Sequence, residues 1–290
     1  MTFTKATDTY ILADGTKIPC IGFGTWQSAD GEEAYSSVLA ALRSGYSHID
    51  TAAAYGNEAS VGKAIADFCA ESGVARSNIF VTTKLWNGDH GYVATKSAID
   101  ASLAKLGTEY IDLYLIHWPN PQKFRDCWEE KNAESWGAME DARRSGKIRA
   151  LGVSNFMPHH LEALSKTQVV APLVNQIKLC PGETQGLTAS YCADRGILLE
   201  AYSPMGTGKI FANKDMRALA QKYGVSVAQV CIRWSLQQGY LPLPKSVHSD
   251  RIAANLDVFG FSLSAEDCAA IADLQDSGIT PARNPDTTEF

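Results

Sequence analysis

The feature that most constrains the fold of this chain is the alternation of short apolar segments with amphipathic ones. Eight apolar segments have the length of strands, at residues 21–24, 47–51, 79–84, 111–117, 148–153, 173–177, 197–202 and 240–243. Helix-like segments separate them; in 31–44, for example, the apolar side chains share one face. Strands that alternate with helices form parallel sheets, and eight such strands favour a closed barrel over an open sheet. No GxGxxG turn follows an early strand, which counts against a Rossmann domain. We therefore predict an α/β fold, a (β/α)8 TIM barrel.

The regions outside this repeat predict additions to the barrel. Segments 10–12 and 17–19 flank Asp14-Gly15, a dipeptide suited to a tight turn, so we expect an N-terminal β-hairpin that closes the barrel bottom. Segments 214–223 and 227–237 predict extra helices. No linker or charge block divides the chain, so residues 1–290 are predicted to form a single domain. The polar segment 276–290 contains two prolines and is either a disordered tail or a flap over the barrel mouth.

Composition argues against several classes of partner. The net charge is −6, and the basic residues are interspersed with acidic ones rather than forming the stripe that nucleic acid requires. No apolar run approaches ~18 residues and no signal-like segment begins the chain, so we expect a cytoplasmic protein without a membrane partner. The seven cysteines form no CxxC pair, which predicts small core residues rather than a zinc site or a redox dithiol.

Four ionisable residues fall at or just beyond predicted strand ends: Asp50, Tyr55, Lys84 and His117. Active sites of such barrels lie at the carboxyl ends of the strands. Each residue alone has an ordinary structural explanation, such as a buried cap or a core histidine. Barrel closure, however, brings the three strands concerned side by side. The four together therefore predict a catalytic site.

The chemistry of these four groups suits reduction of a carbonyl by hydride, which leaves an oxygen that must be protonated. Tyrosine has a pKa of about 10 and is a reluctant acid near neutrality. The Lys84 ammonium would lower the pKa of Tyr55, and Asp50 would hold Lys84 in place. His117 would donate a hydrogen bond to the substrate oxygen. This chemistry needs no metal, and the sequence contains no metal-ligand motif.

The segments that carry these residues resemble those of the aldo-keto reductases, in particular short prokaryotic-type members such as 2,5-diketo-D-gluconate reductase-like enzymes. The matching segments are GFGTW at 22–26, HIDTA at 48–52, YGNE at 55–58, TKLW at 83–86, DLYLIHWP at 112–119, GVSNF at 152–156, NQ at 175–176, AYSP at 201–204 and PKS at 244–246, followed by Asn255. They occur in the family's order and span nearly the whole chain.

The resemblance implies a catalytic tetrad and a cofactor site. Tyr55 would be the general acid, and the general base in the reverse direction, within a tetrad of Asp50, Tyr55, Lys84 and His117. A nicotinamide would lie across the barrel mouth. The positions implied to contact its nicotinamide and pyrophosphate are Thr25, Trp26, Asp50, Ser154, Asn155, Gln176, Tyr202, Ser203, Pro204, Met205 and Gly206.

The resemblance also implies NADPH/NADP+ as the cofactor. The positions that match a clamp on its 2′-phosphate and adenine are Lys245, Ser246, Val247, Arg251 and Asn255. Two cations and a hydroxyl suit a dianionic phosphate and have little use beside a bare ribose hydroxyl. The sequence departs from the common family pattern at His248, where asparagine is frequent, and at Ala254, where glutamate often precedes Asn255.

We therefore predict an enzyme, an NADPH-dependent oxidoreductase that converts aldehydes and activated ketones to alcohols and is a monomer, as the resemblance implies. Its expected substrate pocket consists of Trp26, Tyr55, Trp86, His117 and Trp118. Loop 120–135 and the C-terminal segment would set specificity. Sugar-derived ketones, methylglyoxal and aromatic aldehydes all remain open as substrates.

Two other functions compete with this one. A sugar isomerase on the same barrel would need a metal cage or a different acid/base pair, and neither appears in the sequence. An NADPH-binding regulatory or sensor protein would keep the cofactor residues and even the tetrad. It would differ in having negligible turnover despite tight NADPH binding.

Overall fold

A computed structural model describes residues 3–275 and 277–290. Eight parallel strands follow one another around a sheet in chain order, preceded by a two-stranded antiparallel hairpin. The strands are β1 Thr9–Ile11, β2 Lys17–Pro19, β3 Phe23–Gly24, β4 His48–Asp50, β5 Phe80–Leu85, β6 Ile111–Ile116, β7 Ile148–Ser154, β8 Val174–Lys178, β9 Leu198–Tyr202 and β10 Leu241–Leu243. Each of the eight predicted strand segments therefore overlaps a strand of the sheet, with ends that differ by at most two residues.

Helices connect these strands, as the alternating pattern predicts. They are α1 Glu32–Ser44, α2 Glu58–Ser72, α3 Tyr92–Leu106, α4 Trp128–Arg144, α5 Pro158–Ser165, α6 Gly186–Ala193, α7 Lys214–Tyr223, α8 Val227–Gln237, α9 Ser249–Leu256 and α10 Ala265–Ala272. Gly224, with φ of 68°, ends α7, and Ser226 caps the first turn of α8, which explains why two helices separate β9 from β10. The apolar pattern of the sequence did not predict α10.

The sheet closes into a barrel where β3 meets β10. Gly22 N–H donates to the Pro242 carbonyl at 3.1 Å, and Gly24 N–H donates to the Pro244 carbonyl at 3.0 Å. Gly22 permits this approach, because a Cβ at this position would lie 2.6 Å from both His48 Nδ1 and a Leu243 methyl. The predicted TIM barrel is thus confirmed.

The hairpin lies at the amino-terminal end of the barrel strands. Its turn has Gly15 at φ 87°, in the left-handed region that glycine favours. Ile18 of β2 is fully buried, and the Tyr10 hydroxyl donates to the carbonyl of Tyr240, the residue before β10, at 3.0 Å. The hairpin therefore covers the bottom of the barrel, as predicted, and leaves the opposite end open.

The described cysteines are all free, and five of the seven are buried: Cys20, Cys180, Cys192, Cys231 and Cys268. They occupy the core, as expected for small apolar side chains. Within residues 3–275 and 277–290, no helix has the length and apolar character needed to cross a membrane.

We expect Gly62→Ala to destabilise the protein by about 1–3 kcal/mol, because overpacking forces the backbone apart. Gly62 lies in α2, and a Cβ there would be 2.3 Å from the carbonyl oxygen of Leu106 at the end of α3. Gly137→Ala in α4 is the matched control, since no described atom beyond the neighbouring backbone of α4 lies within 4 Å of its added Cβ. That change should stabilise the protein by up to about 1 kcal/mol. Urea denaturation measures both effects, and equal effects of the two substitutions would contradict the packing argument.

Candidate active site

The four residues singled out from the sequence meet at the open end of the barrel. Asp50 ends β4, Lys84 lies near the end of β5, His117 follows β6, and Tyr55 lies in the turn after β4. The Lys84 ammonium is fully buried and contacts Asp50 Oδ1 at 2.8 Å and Oδ2 at 2.9 Å. It donates a further hydrogen bond to the Thr51 carbonyl at 2.9 Å. A buried cation thus has three oxygen partners, which offsets its loss of hydration.

The Lys84 ammonium also lies 3.2 Å from the Tyr55 hydroxyl. Burial by itself lowers the pKa of Lys84, but the Asp50 carboxylate raises it above the ordinary value, so the ammonium keeps its charge. Burial raises the pKa of Tyr55, while Lys84 acts in the opposite direction. The expectation that Lys84 leaves Tyr55 with a lowered pKa is therefore wrong for this structure, because desolvation of the phenolate outweighs the attraction of the cation.

His117 lies beside the Tyr55 ring, with ring centroids 5.8 Å apart and planes at 75°. Burial, followed by the charge of Lys84, lowers the pKa of His117 well below its usual range. The imidazole is therefore neutral at physiological pH and carries a single N–H. Its Nδ1 is buried and has no hydrogen-bond partner among the described residues. A neutral histidine can still donate one hydrogen bond to a substrate oxygen.

Four further expected residues line the barrel mouth next to the tetrad. Asn155, which follows β7, adopts φ of 62° and donates from Nδ2 to the His117 carbonyl at 3.0 Å and to Ser154 Oγ at 3.1 Å. The Tyr202 hydroxyl at the end of β9 donates to Asn155 Oδ1 at 2.9 Å. Ser154 Oγ donates to the Gln176 backbone carbonyl at 2.8 Å. These side chains are held in one connected network around the tetrad.

Sequence reasoning missed a buried glutamate beneath this network. Gln176 Nε2 donates to Asp50 Oδ2 at 2.8 Å and to Glu200 Oε2 at 2.7 Å. Glu200 lies in the middle of β9 and is fully buried. The signal was present in the sequence, because a glutamate in the otherwise apolar segment 197–202 needs a partner inside the barrel.

Thr25 and Trp26 follow β3 on the other side of Asp50. Thr25 is buried, and both its N–H and its Oγ1 donate to the Asp50 carbonyl at 3.0 Å. Trp26 has 47% of its surface exposed at the barrel mouth. Thr25 thus fixes the backbone that carries Asp50, whereas Trp26 is free to contact a ligand.

The loop after β9 contains the four residues expected beside a pyrophosphate: Ser203, Pro204, Met205 and Gly206. Ser203 has φ of 50° and Gly206 has φ of 55°, both in the left-handed region. A Cβ on Gly206 would lie 2.3 Å from a methyl group of Ile279, so the loop packs tightly against the C-terminal segment. The absence of a side chain at Gly206 is required for this contact.

The residues expected to bind the 2′-phosphate and adenine lie in the loop that follows β10 and on α9. Ser246 and Asn255 are buried, Val247 and Arg251 are exposed, and Lys245 is half-buried with its ammonium 3.1 Å from the Gln27 carbonyl. Neither cation has a carboxylate within 4.0 Å among the described residues.

The first turn of α9 also lacks a side-chain cap, because His248 makes no capping hydrogen bond. Unpaired N–H groups at a helix start bind anions. Together with Lys245 and Arg251, this donor set fits a phosphate group.

The C-terminal segment 277–290 provides one wall of the mouth. Phe290 stacks on Trp86 with centroids 6.2 Å apart and meets Trp118 edge to face at 5.1 Å. Trp86 in turn lies 5.3 Å from His117. The described part of the C-terminal segment therefore lies across the mouth. Asp276, the first residue of the predicted C-terminal segment, lies outside the described residues.

Asp286 ties this segment to the rim of the barrel. Its Oδ1 lies 2.9 Å from Asn120 Nδ2 and 2.9 Å from His160 Nε2, and its Oδ2 lies 3.2 Å from His159 Nε2. The histidines and the carboxylate are close enough to share a metal ion. However, His160 Nδ1 accepts a hydrogen bond from Met157 N–H, which places the proton of a neutral imidazole on Nε2, facing Asp286. The geometry therefore favours a hydrogen bond from His160 to Asp286 over a metal site at this position.

Comparison with known proteins identifies the family of this chain. Residues 20–276 match the model of the Aldo/keto reductase family. The chain is 44% identical to glyoxal reductase of Bacillus subtilis, over 99% of both chains. The crystal structure of an aldo/keto reductase from Brucella melitensis is 42% identical, with a TM-score of 0.86 over 94% of this chain and all of that one.

A variant of Gox0644 solved in complex with NADPH is 36% identical, with a TM-score of 0.89 over 99% of this chain and all of that one. The family model covers most of the chain, and the relatives cover nearly all of it. The chain therefore belongs to the aldo/keto reductase family of oxidoreductases.

Proposed function

We propose that this protein reduces aldehydes and activated ketones to alcohols with NADPH, and that Tyr55 is the general acid. The observation that carries the proposal is the buried Lys84 ammonium, 2.8 Å from Asp50 and 3.2 Å from the Tyr55 hydroxyl. The relative named glyoxal reductase and the NADPH complex of Gox0644 support the reaction class and the cofactor.

Each group has a distinct role in the proposed reaction. NADPH, when bound, supplies the hydride. The carbonyl oxygen accepts hydrogen bonds from Tyr55 and His117, which polarises the carbonyl and orients it. As negative charge develops on that oxygen, Tyr55 transfers its proton, and the Lys84 ammonium stabilises the resulting phenolate. Asp50 keeps the ammonium in place.

The residues around the mouth would hold the cofactor. Ser154, Asn155 and Gln176 offer polar groups for a carboxamide, and Tyr202 offers a ring for stacking. The two cations near the start of α9 would bind the 2′-phosphate. Trp86 and Trp118, with Phe290, would form an apolar pocket that leaves Tyr55 and His117 as its polar anchors.

We further propose that the protein is a cytoplasmic monomer of one domain that acts on small molecules without a nucleic acid partner. The residues of a single chain supply every group named above, which supports a monomer. The mixed surface charge supports the absence of nucleic acid.

Tyr55→Phe should lower kcat/KM for carbonyl reduction by about 10²–10⁴-fold, because the proton donor is lost. NADPH affinity, measured by fluorescence quenching, should stay within about twofold of the parent, because the ring remains. Activity is measured as NADPH oxidation with glyoxal, methylglyoxal and aromatic aldehydes.

Tyr46→Phe is the matched control for this substitution, since the Tyr46 hydroxyl is buried without a partner among the described residues. It should leave the rate unchanged. Retention of most activity in Tyr55→Phe would show that the proton donor is misassigned. A parent protein that binds NADPH tightly but reduces nothing in the panel would instead be a sensor.

Lys245→Ala and Arg251→Ala should each reduce the preference for NADPH over NADH by roughly tenfold or more, since each removes a charged partner of the 2′-phosphate. The ratio of kcat/KM values with the two cofactors measures this preference. Lys17→Ala, on the hairpin at the opposite end of the barrel, is the control and should leave the ratio unchanged. Equal kinetics with NADPH and NADH in the parent would contradict the assignment.

Asp286→Ala should raise KM for the carbonyl substrate several-fold and leave NADPH affinity unchanged. The substitution removes the contacts that tie the C-terminal segment to Asn120 and His160, so the wall formed by Phe290 loses its anchor. Limited proteolysis should cut the released segment faster than in the parent. Glu289→Ala, an exposed residue of the same segment, is the control. An unchanged KM in Asp286→Ala would show that the C-terminal segment does not contribute to substrate binding.

A further inference from the structure

Beneath the proposed catalytic residues, the barrel interior holds a second carboxyl group that the reaction above does not use. Glu200 of β9 is fully buried and lies in register with Gln176 of β8 on one side and Leu241 of β10 on the other. Gln176 Nε2 is its hydrogen-bond partner, at 2.7 Å. The second oxygen, Oε1, is buried without a partner among the described residues.

Among the described residues, no lysine or arginine forms an ion pair with Glu200. Lys84 of β5 is committed to Asp50 of β4, at 2.8 Å. The other titratable group that faces Glu200 is His48 of β4, whose Nε2 lies 3.9 Å from Oε1 and 2.9 Å from Thr82 Oγ1. Burial, followed by the charge of Lys84, lowers the pKa of His48 to about 3, so this imidazole is neutral. An ionised Glu200 would add an uncompensated charge to the buried interior, which is costly.

The Gln176 amide joins Glu200 to the catalytic residues. It has two N–H bonds, and its nitrogen contacts one oxygen of Asp50 and one of Glu200. The two carboxyl groups thus use both donors of this amide. Without an acceptor at position 200, one buried N–H of Gln176 would be unpaired, and the amide would lose the contact that fixes its orientation.

We propose that Glu200 is a positioning residue for the reaction. It would be a neutral carboxylic acid that holds the Gln176 amide against Asp50 and adds no charge beside the Lys84–Asp50 ion pair. This inference rests on the proposed function, because it assigns Glu200 a role toward Tyr55 through Gln176, Asp50 and Lys84. Burial, followed by repulsion from Asp50, raises the pKa of Glu200 to about 8, in agreement with the charge count.

The neutral state has a consequence for stability that does not depend on the cofactor. In the unfolded chain Glu200 loses its proton near its ordinary pKa of 4.5, whereas in the folded protein it keeps the proton to about pH 8. The unfolded state therefore binds fewer protons between these values, and the stability of the parent falls as pH rises through this window. Glu200→Gln has no titratable group at this position, so its stability does not fall for this reason.

The first experiment compares melting temperatures of the cofactor-free parent and Glu200→Gln from about pH 4.5 to about pH 9. We expect the melting temperature of Glu200→Gln, relative to that of the parent, to rise by several degrees up to about pH 8 and then to level off. Glu129→Gln, an exposed glutamate, corrects for the general effect of removing one carboxylate. A difference that does not change with pH would overturn the proposal.

Infrared spectroscopy of the cofactor-free parent provides a second test that does not depend on how the variant folds. It should detect a protonated carboxyl band at neutral pH that disappears as the pH rises through about 8. Absence of this band from the neutral parent would equally overturn the proposal.

The second experiment measures kcat/KM for carbonyl reduction against pH. At neutral pH, Glu200→Gln should stay within about twofold of the parent, because it keeps an acceptor for Gln176, whereas Glu200→Leu should fall roughly tenfold. At alkaline pH, ionised Glu200 in the parent disfavours the Tyr55 phenolate and keeps the acid protonated. In Glu200→Gln, kcat/KM should therefore begin to fall at a pH roughly half a unit or more below that at which it falls in the parent.

The positioning role is refuted if kcat/KM declines at the same alkaline pH in the parent and in Glu200→Gln. Full activity in Glu200→Leu would refute it as well. Tyr55→Phe distinguishes this outcome from failure of the proposed function. If Tyr55→Phe is inactive and the Glu200 variants behave like the parent, only the role of Glu200 is wrong. If Tyr55→Phe retains its activity, the proposed function itself fails.

Discussion

The burial of the Lys84 ammonium is the constraint on which the rest of the site depends. A cation removed from water needs several oxygen partners, and here the carboxylate of Asp50, the Thr51 carbonyl and the Tyr55 hydroxyl provide them. These partners must in turn be held, so Thr25 fixes the Asp50 backbone and Gln176 fixes its side chain. In the polar network at the open end of the barrel, one set of groups holds the Lys84 ammonium and a second set holds those groups in place.

Local pattern was sufficient to predict the barrel and the four residues at its centre. The spacing of apolar residues predicted α7 and α8 with the same first and last residues that the structure gives them. The strand ends could be placed in space because parallel strands that follow one another around a barrel direct their carboxyl ends to the same side. Asp50, Lys84 and His117 were therefore expected together before any distance was known.

Properties that depend on contacts between distant segments could not be predicted in the same way. The side of the barrel to which Glu200 points, and its contact with Gln176, follow from strand register, which the apolar pattern does not specify. The pKa of Tyr55 depends on a balance between burial and the charge of Lys84, and sequence reasoning supplied only the charge. The path of residues 277–290 depends on single contacts such as that of Asp286 with His160, for which the sequence has no periodic signal.

The wall of the proposed site and its buried ion pair come from two different parts of the chain, the C-terminal segment and the barrel strands. Asp286 fastens the segment to side chains on the rim, and Phe290 closes the wall against Trp86, while the ion pair of Lys84 and Asp50 lies on barrel strands. Substitutions in the segment can reshape the wall without disturbing that ion pair. A lineage built on this plan can change this wall in small steps, each of which keeps the ion pair of Lys84 and Asp50 intact.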